Sequence, residues 1–213
     1  MIPILKIIIA IAASYLIGSI PSAYIFGRIL KNIDIRQFGS GNVGATNAFR
    51  VLGLGPGIFV LILDSLKGIL AILLISNIFQ QTLISQELYF ILLGLVAVCG
   101  HIWTIFLKGK GGKGMATSLG ALIGLAIKIK GLWLIFIIVI CVWILVFLIS
   151  RFVSLASIVS VVILPIFLII FKESKELILM AFFLCVLVIF RHKSNINRLL
   201  HKKEPRINLP FLK

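Results

Sequence analysis

The chain has 213 residues, 61% of them hydrophobic and 13% charged, with a mean hydropathy of +1.22, whereas soluble domains are roughly 45–50% apolar and about 25% charged. That composition excludes an ordinary soluble enzyme and indicates an all-α integral membrane protein, since long apolar helices satisfy their own backbone groups in lipid. The net charge of +15 suits nucleic acid, anionic lipid or an anionic substrate, and the positions of the charges decide among them.

In chain order, apolar runs predict seven helical segments at about 3–27, 52–76, 87–107, 112–128, 131–150, 153–171 and 176–191. The first opens with Lys6 and an apolar run through Ile17. It resembles a signal peptide, but with no soluble domain behind it the run is read as a spanning helix and not a cleaved leader. Segments four and seven have uninterrupted apolar cores of 14 residues each, Gly114–Ile127 and Leu177–Phe190, short enough for re-entrant or interfacial elements. With seven spans and the N-terminus outside, fifteen lysines and arginines, Lys213 among them, fall on the cytoplasmic side. Five (Lys6, Lys128, Lys130, Lys172, Lys175) fall outside and Lys67 lies within a helix, which fits the positive-inside rule. Removing segments four and seven together keeps the basic loops 28–50 and 108–113 inside, so five spans is the alternative. Residues 1–213 read as one membrane bundle whose polar islands, 28–50, 108–118 and 191–206, share the cytoplasmic face. Cys99, Cys141 and Cys185 lie in apolar runs without metal or redox spacing and are expected to be buried inert thiols.

The first island contains "GSGNVGATN", a literal G-x-G-x-x-G. A dinucleotide fold requires a strand before those glycines, whereas here they follow a spanning helix and a charged loop; Asp64, 20 residues past Gly44, sits in an apolar run. What remains is local physics. Gly39, Gly41 and Gly44 permit positive φ and close backbone approach, Ser40, Asn42, Thr46 and Asn47 supply neutral donors, and Arg50 supplies a fork suited to phosphate. A flexible polar connector is the bland alternative, but connectors tend to be acidic or rich in serine and proline and seldom gather donors around one terminal arginine, so the phosphate reading is preferred.

The second island, "HIWTIFLKGKGGKGMAT", carries Lys108, Lys110 and Lys113 among four glycines. It is not a Walker loop, because Lys113 is followed by Gly114 and not by serine or threonine. A helix starting near Gly111 would aim its first N–H groups at an oxyanion. Lys108 and Lys110 read equally well as topology signals, while Lys113, boxed by glycines, reads as functional. In the third, "FRHKSNINRLL", a continuing helix would set Arg191, His192 and Asn195 on adjoining faces; Lys202, Lys203 and Arg206 read as a basic tail on anionic lipid. His101 and the i, i+3 pair Asp64–Lys67 sit inside spans, where a structural pair is the plainer reading and a proton or ion site the other.

Of the six acids only Asp34 and Glu204 reach the islands in this topology. Metal-assisted phosphoryl transfer is therefore poorly supported, and no metal cluster is expected. The His-x4-Asp arrangement of many lipid acyltransferases is missing too: Phe106, Asn197 and Arg206 stand five residues after the three histidines. Anion sites and hydrogen-bond donors suit a reaction on phosphate-bearing substrates that already contain a good leaving group.

"GSGNVGATNAFR", "HIWTIFLKGKGGKGMAT" and "FRHKSNINRLL" resemble, in order, the three motifs of the bacterial acyl-phosphate:glycerol-3-phosphate acyltransferase family (PlsY). Length, segment number and the "DSLKG" of the second segment agree, so the similarity covers nearly the whole chain. After the third motif "HKKE" stands where a glycine precedes the glutamate in the family, and Glu204 receives no role. The resemblance implies acyl transfer from acyl phosphate to the 1-hydroxyl of glycerol 3-phosphate, giving lysophosphatidic acid and phosphate in phospholipid biosynthesis. It implies no cofactor, CoA or acyl carrier protein, no nucleic acid, a bacterial inner-membrane location, and a functional link to a soluble enzyme producing acyl phosphate. Carried over by motif position, Ser40, Arg50, Lys113, His192 and Asn195 line phosphate pockets shaped by Asn42, Thr46, Gly111 and Gly112, with Ser40, Lys113, His192 and Asn195 catalytic. A phosphate of a substrate then accepts the hydroxyl proton. The alternative from another class is a transporter of a phosphorylated or anionic solute.

Overall fold

Proline explains the first departure from a row of simple spans. In the computed structural model, which describes residues 2–207 and so leaves Lys213 outside, α1 (Pro3–Ser19) stops before Pro21 and α2 (Ser22–Lys31) resumes after it. Proline lacks the N–H that would continue the ladder, and the helix break deprives the last carbonyls of α1 of their i+4 partners. Two of these are satisfied by side chains: the Thr104 hydroxyl donates to Ser19 O and the Lys67 ammonium to Ile20 O. The expected segment 3–27 is thus two helices ending at Lys31, and Asn32 closes α2 in the left-handed conformation (φ 53°).

Two compact units divide the chain, residues up to Lys130 and residues from Gly131. Within the first unit a short helix, α3 (Ala45–Leu52), lies inside the island that the sequence pattern left as loop. Gly53 (φ 104°) turns the chain into α4 (Leu54–Leu70), which passes through a π-helical turn at Ala71–Ile75 into α5 (Ser76–Ile78). α6 (Gln86–Ile102), capped by the Ser85 hydroxyl accepting from Leu88 N–H at 3.2 Å, and α7 (Met115–Lys128) complete the unit. Small residues set the packing, as expected where lipid removes the hydrophobic drive between helices. A methyl group on Gly18 would overlap the Ala97 carbonyl of α6, and one on Gly120 of α7 would overlap the Ser65 carbonyl of α4.

The second unit contains α8 (Leu132–Ser150), α9 (Val153–Ile170), α10 (Lys175–Arg191) and α11 (Lys193–Leu200). α8 buries only Leu132, Ile135 and Val139, and its remaining apolar surface suits hydrocarbon. Cys141 lies on that exposed surface and Cys99 and Cys185 are half-buried, so the expectation of three buried thiols does not hold; all three are free.

Among the described residues, five stretches are long and apolar enough to cross a bilayer: Pro3–Lys31, Leu54–Ile78, Gln86–Leu107, Leu132–Ser150 and Val153–Ile170. A sixth arises if α10 and α11, bent by 61°, count as one, and Met115–Lys128 is a shorter apolar helix. The two elements that stand apart are those whose apolar cores were short in the sequence. The protein is a multi-pass, all-helical membrane protein.

Candidate active site

The first island is organised from inside by Asn47. Its side chain is buried, its Oδ1 accepts the Ser40 N–H at 2.8 Å, and its Nδ2 donates to the carbonyls of Ile35 (3.3 Å) and Phe38 (3.1 Å). The loop can curl around this amide because Gly39 and Gly41 take positive φ (59° and 70°). Gly44 is instead extended (φ −150°) and caps α3. Asn47, read from sequence as a donor for a ligand, therefore spends its hydrogen bonds on the backbone. Ser40 is exposed at the loop tip, and Asn42 is half-buried with its amide against Gly44. Thr46 occupies the first turn of α3 and Arg50, exposed, its last.

The second island differs from expectation. No helix begins at Gly111: α7 starts at Met115 behind Gly114 (φ 86°), and the glycine loop folds back onto the end of α6. Gly111 N–H donates to Ile102 O at 3.1 Å and Gly112 N–H to His101 O at 3.0 Å. Both glycines are buried, and a side chain on either would overlap His101, at its carbonyl oxygen for Gly111 and at ring nitrogen Nε2 for Gly112. Their smallness serves close packing, and these two N–H groups close the turn instead of facing an anion. Lys113 is half-buried immediately after them; Lys108 and Lys110 are exposed.

These two islands share a cavity of about 490 Å³ lined by Asp34, Arg36, Gln37, Gly41, Lys110 and Gly111. Of the residues singled out from sequence, Gly41 and Gly111 are among them, and Lys110 gains a place at its wall. Asp34 is engaged by Arg36 through a fork (Nη2 to Oδ2 2.6 Å, Nε to Oδ1 2.9 Å). Those bonds from Arg36 lower its pKa to about 2.

The third island lies in the second unit, and its helix does not continue. The chain bends at His192, where the backbone N–H bonds to both Val188 O (2.9 Å) and Ile189 O (3.0 Å). The buried His192 ring places Nδ1 2.8 Å from Val188 O. A carbonyl only accepts, so Nδ1 carries the proton and Nε2 presents its lone pair in the neutral ring. Asn195, also buried, donates from Nδ2 to Glu204 Oε1 at 2.6 Å. Ser154 of α9 donates to the same oxygen (2.8 Å) and Arg198 Nε to Oε2 (2.7 Å). Burial pushes the Glu204 carboxyl up, but the bonds from Asn195, Ser154 and Arg198 outweigh it and hold the group below the ordinary carboxylate range. Sequence spacing gave Glu204 no role. The i, i+3 step from Asn195 to Arg198 was its one visible signal, and Ser154, 50 residues away, gave none.

Both carboxylates expected near the islands are thus tied to arginines and are weak bases. Together with the apolar spans, these features describe an integral membrane protein that carries polar islands in each of its two units. The chain belongs to the glycerol-3-phosphate acyltransferase family, whose model matches residues 8–202. A glycerol-3-phosphate acyltransferase of Prochlorococcus marinus (strain MIT 9515) is 43% identical over 204 residues, covering 94% of this chain and 97% of that one. Glycerol-3-phosphate acyltransferase 2 of Moorella thermoacetica (strain ATCC 39073 / JCM 9320) is 43% identical over 200 residues, with coverage of 94% and 97%. Among solved structures, PlsY (YgiH), an integral membrane glycerol 3-phosphate acyltransferase in its glycerol 3-phosphate form, is 35% identical with a TM-score of 0.83, covering 95% of this chain and 96% of that one. Its lysophosphatidic acid form gives 35% and 0.80.

Proposed function

We propose that this protein moves a fatty acyl group from acyl phosphate to the 1-hydroxyl of glycerol 3-phosphate. The observation that carries the reading is the whole-length likeness to a solved acyltransferase in its glycerol 3-phosphate and lysophosphatidic acid forms. The hydroxyl oxygen attacks the acyl carbon, the bond from that carbon to the phosphate oxygen breaks, and inorganic phosphate leaves with lysophosphatidic acid as the other product. The hydroxyl proton passes to a phosphate oxygen of a substrate. Asp34 and Glu204 are unsuited to take it, being held in their charged forms by Arg36 and Arg198.

Arg50 and Lys113 supply the positive charge that offsets the phosphates, and Ser40, Asn42 and Thr46 supply neutral donors. His192 contributes an imidazole whose ring is fixed by Val188, and Asn195 an amide positioned by its bond to Glu204. Seven spans follow if α7 and α10 cross along with the five longer stretches, with the N-terminus outside and the islands facing the cytoplasm of a bacterial inner membrane. The acyl phosphate then arrives from a soluble enzyme that makes it.

The test compares acyl phosphate, acyl-CoA and acyl carrier protein as donors to purified protein with glycerol 3-phosphate. Product from acyl phosphate alone is expected; product from either thioester would overturn the donor assignment. Mass spectrometry after mixing with acyl phosphate only should show unmodified protein, and an acylated Ser40 would replace direct transfer by a covalent route.

A further inference from the structure

Three ionisable side chains of the first unit are buried together where no step above uses them. Asp64 and Lys67 of α4 and His101 of α6 are 1%, 4% and 7% exposed. Lys67 donates to Asp64 Oδ1, and His101 Nδ1 lies 3.8 Å from that same oxygen. Asp64 Oδ2 is buried with no hydrogen-bond partner. Such a cluster is a poor way to gain stability, because apolar residues of similar volume serve as well or better at a buried ion pair. Its location suggests another use. The far edge of the His101 ring, at Nε2, lies directly beneath Gly112, and the His101 and Ile102 carbonyls receive the Gly112 and Gly111 N–H groups. The next residue is Lys113.

We propose that the Asp64–Lys67–His101 cluster is a positioning device for the acyltransferase: it fixes the His101 ring as the floor on which the Gly111–Gly112 turn rests, and so sets the place of Lys113. The inference rests on the function proposed above. Asp64 Oδ1 lies 3.8 Å from the ring's Nδ1 and flanks the imidazole on the side away from Gly112. Lys67 holds Asp64 and is itself anchored on Ile20 O at the Pro21 break, so the floor is tied to three helices. Two neighbouring glycines are required because the turn lies in contact with the ring and with the carbonyls beside it. With the floor loosened, Lys113 would meet its phosphate off-target, and misplacements on the order of 1 Å cost up to about 100-fold in rate.

The phosphate that Lys113 holds belongs to either glycerol 3-phosphate or acyl phosphate, and varying each substrate in turn tells which. Four variants carry the test: Asp64→Asn, which keeps the shape and removes the charge; His101→Leu; His101→Gln as its conservative counterpart; and Asp64→Leu/Lys67→Met, which replaces the ion pair by apolar volume and keeps the protein folded if single changes do not. The expected result is an increase of about 10- to 100-fold in KM for one phosphate substrate. It is accompanied by faster hydrogen exchange at Gly111 and Gly112 and by a melting temperature in detergent close to wild type for the double variant. His101→Gln, whose amide can stand in for a ring nitrogen, should recover part of the KM. Wild-type KM for both substrates in the folded double variant would overturn the inference, leaving the cluster as packing alone. Unchanged exchange at Gly111 and Gly112 would overturn it as well. If wild-type protein itself transferred no acyl group, the function would fall, and the exchange measurement would still decide whether the cluster holds the turn.

Discussion

Glu204 offers the sharpest quantitative prediction. Glu204→Gln keeps the side chain's size and one carbonyl acceptor for Asn195 and Ser154 but removes the charge and turns an amide toward Arg198. Hydrogen bonds to a charged group contribute about 1.5–3 kcal/mol each against about 1 kcal/mol for neutral ones, so the two retained bonds weaken and the third is lost. The Arg198 side chain is 33% exposed, so solvent screens its share, and a total of about 2 kcal/mol is expected. For a chain of this size that is roughly 4–8 °C in apparent melting temperature. The sign with pH follows from the depressed pKa in the fold: the carboxylate's contribution is fully present above its unfolded value, about 4.3, and disappears as pH falls through the folded value. Melting of purified protein in detergent from pH 7 to well below the unfolded value should therefore show wild type and variant well separated down to about pH 4.3 and converging only in stronger acid. A variant that melts with wild type at pH 7, or a gap that widens in acid, would refute the reasoning.

Gly112→Ala forces a methyl group into His101 Nε2 and should cost about 10- to 100-fold in kcat/KM, measured with both substrates varied. Asn47→Ala leaves the Ser40 N–H without its partner and removes one of two hydrogen bonds at each of the Ile35 and Phe38 carbonyls, so a melting-temperature drop equivalent to about 2–4 kcal/mol is expected together with lost turnover. His192→Ala should reduce turnover but keep the shape of the pH–rate profile if a substrate phosphate takes the proton; loss of an ionisation near neutrality would make His192 the base.

The long apolar runs were legible because a bilayer leaves one solution for each, an unbroken helix. What escaped were the interruptions. Pro21 lies within an otherwise apolar run that was read as one span, and the side chains of Thr104 and Lys67 that cap the break between α1 and α2 come from far along the chain. α3 is eight residues long, too short for a periodic pattern to stand out in a glycine-rich loop. In the site, residue types were legible and their employment was not. Gly111 and Gly112 were expected to open their N–H groups to an anion, but the turn closes on α6. Asn47 was expected to offer donors outward, but loop closure consumes them. Glu204 was left without a role because the helix carrying one of its partners, Ser154, lies far away in sequence.

The central claim is most directly tested by supplying palmitoyl phosphate and labelled glycerol 3-phosphate to purified protein without CoA, carrier protein or metal, and following labelled lysophosphatidic acid. The account predicts product from wild type and loss of most of it in Arg50→Ala and Lys113→Ala, both eluting as folded protein. No product from folded wild type, with solute counterflow in vesicles instead, would contradict it and make the chain a transporter on an acyltransferase fold.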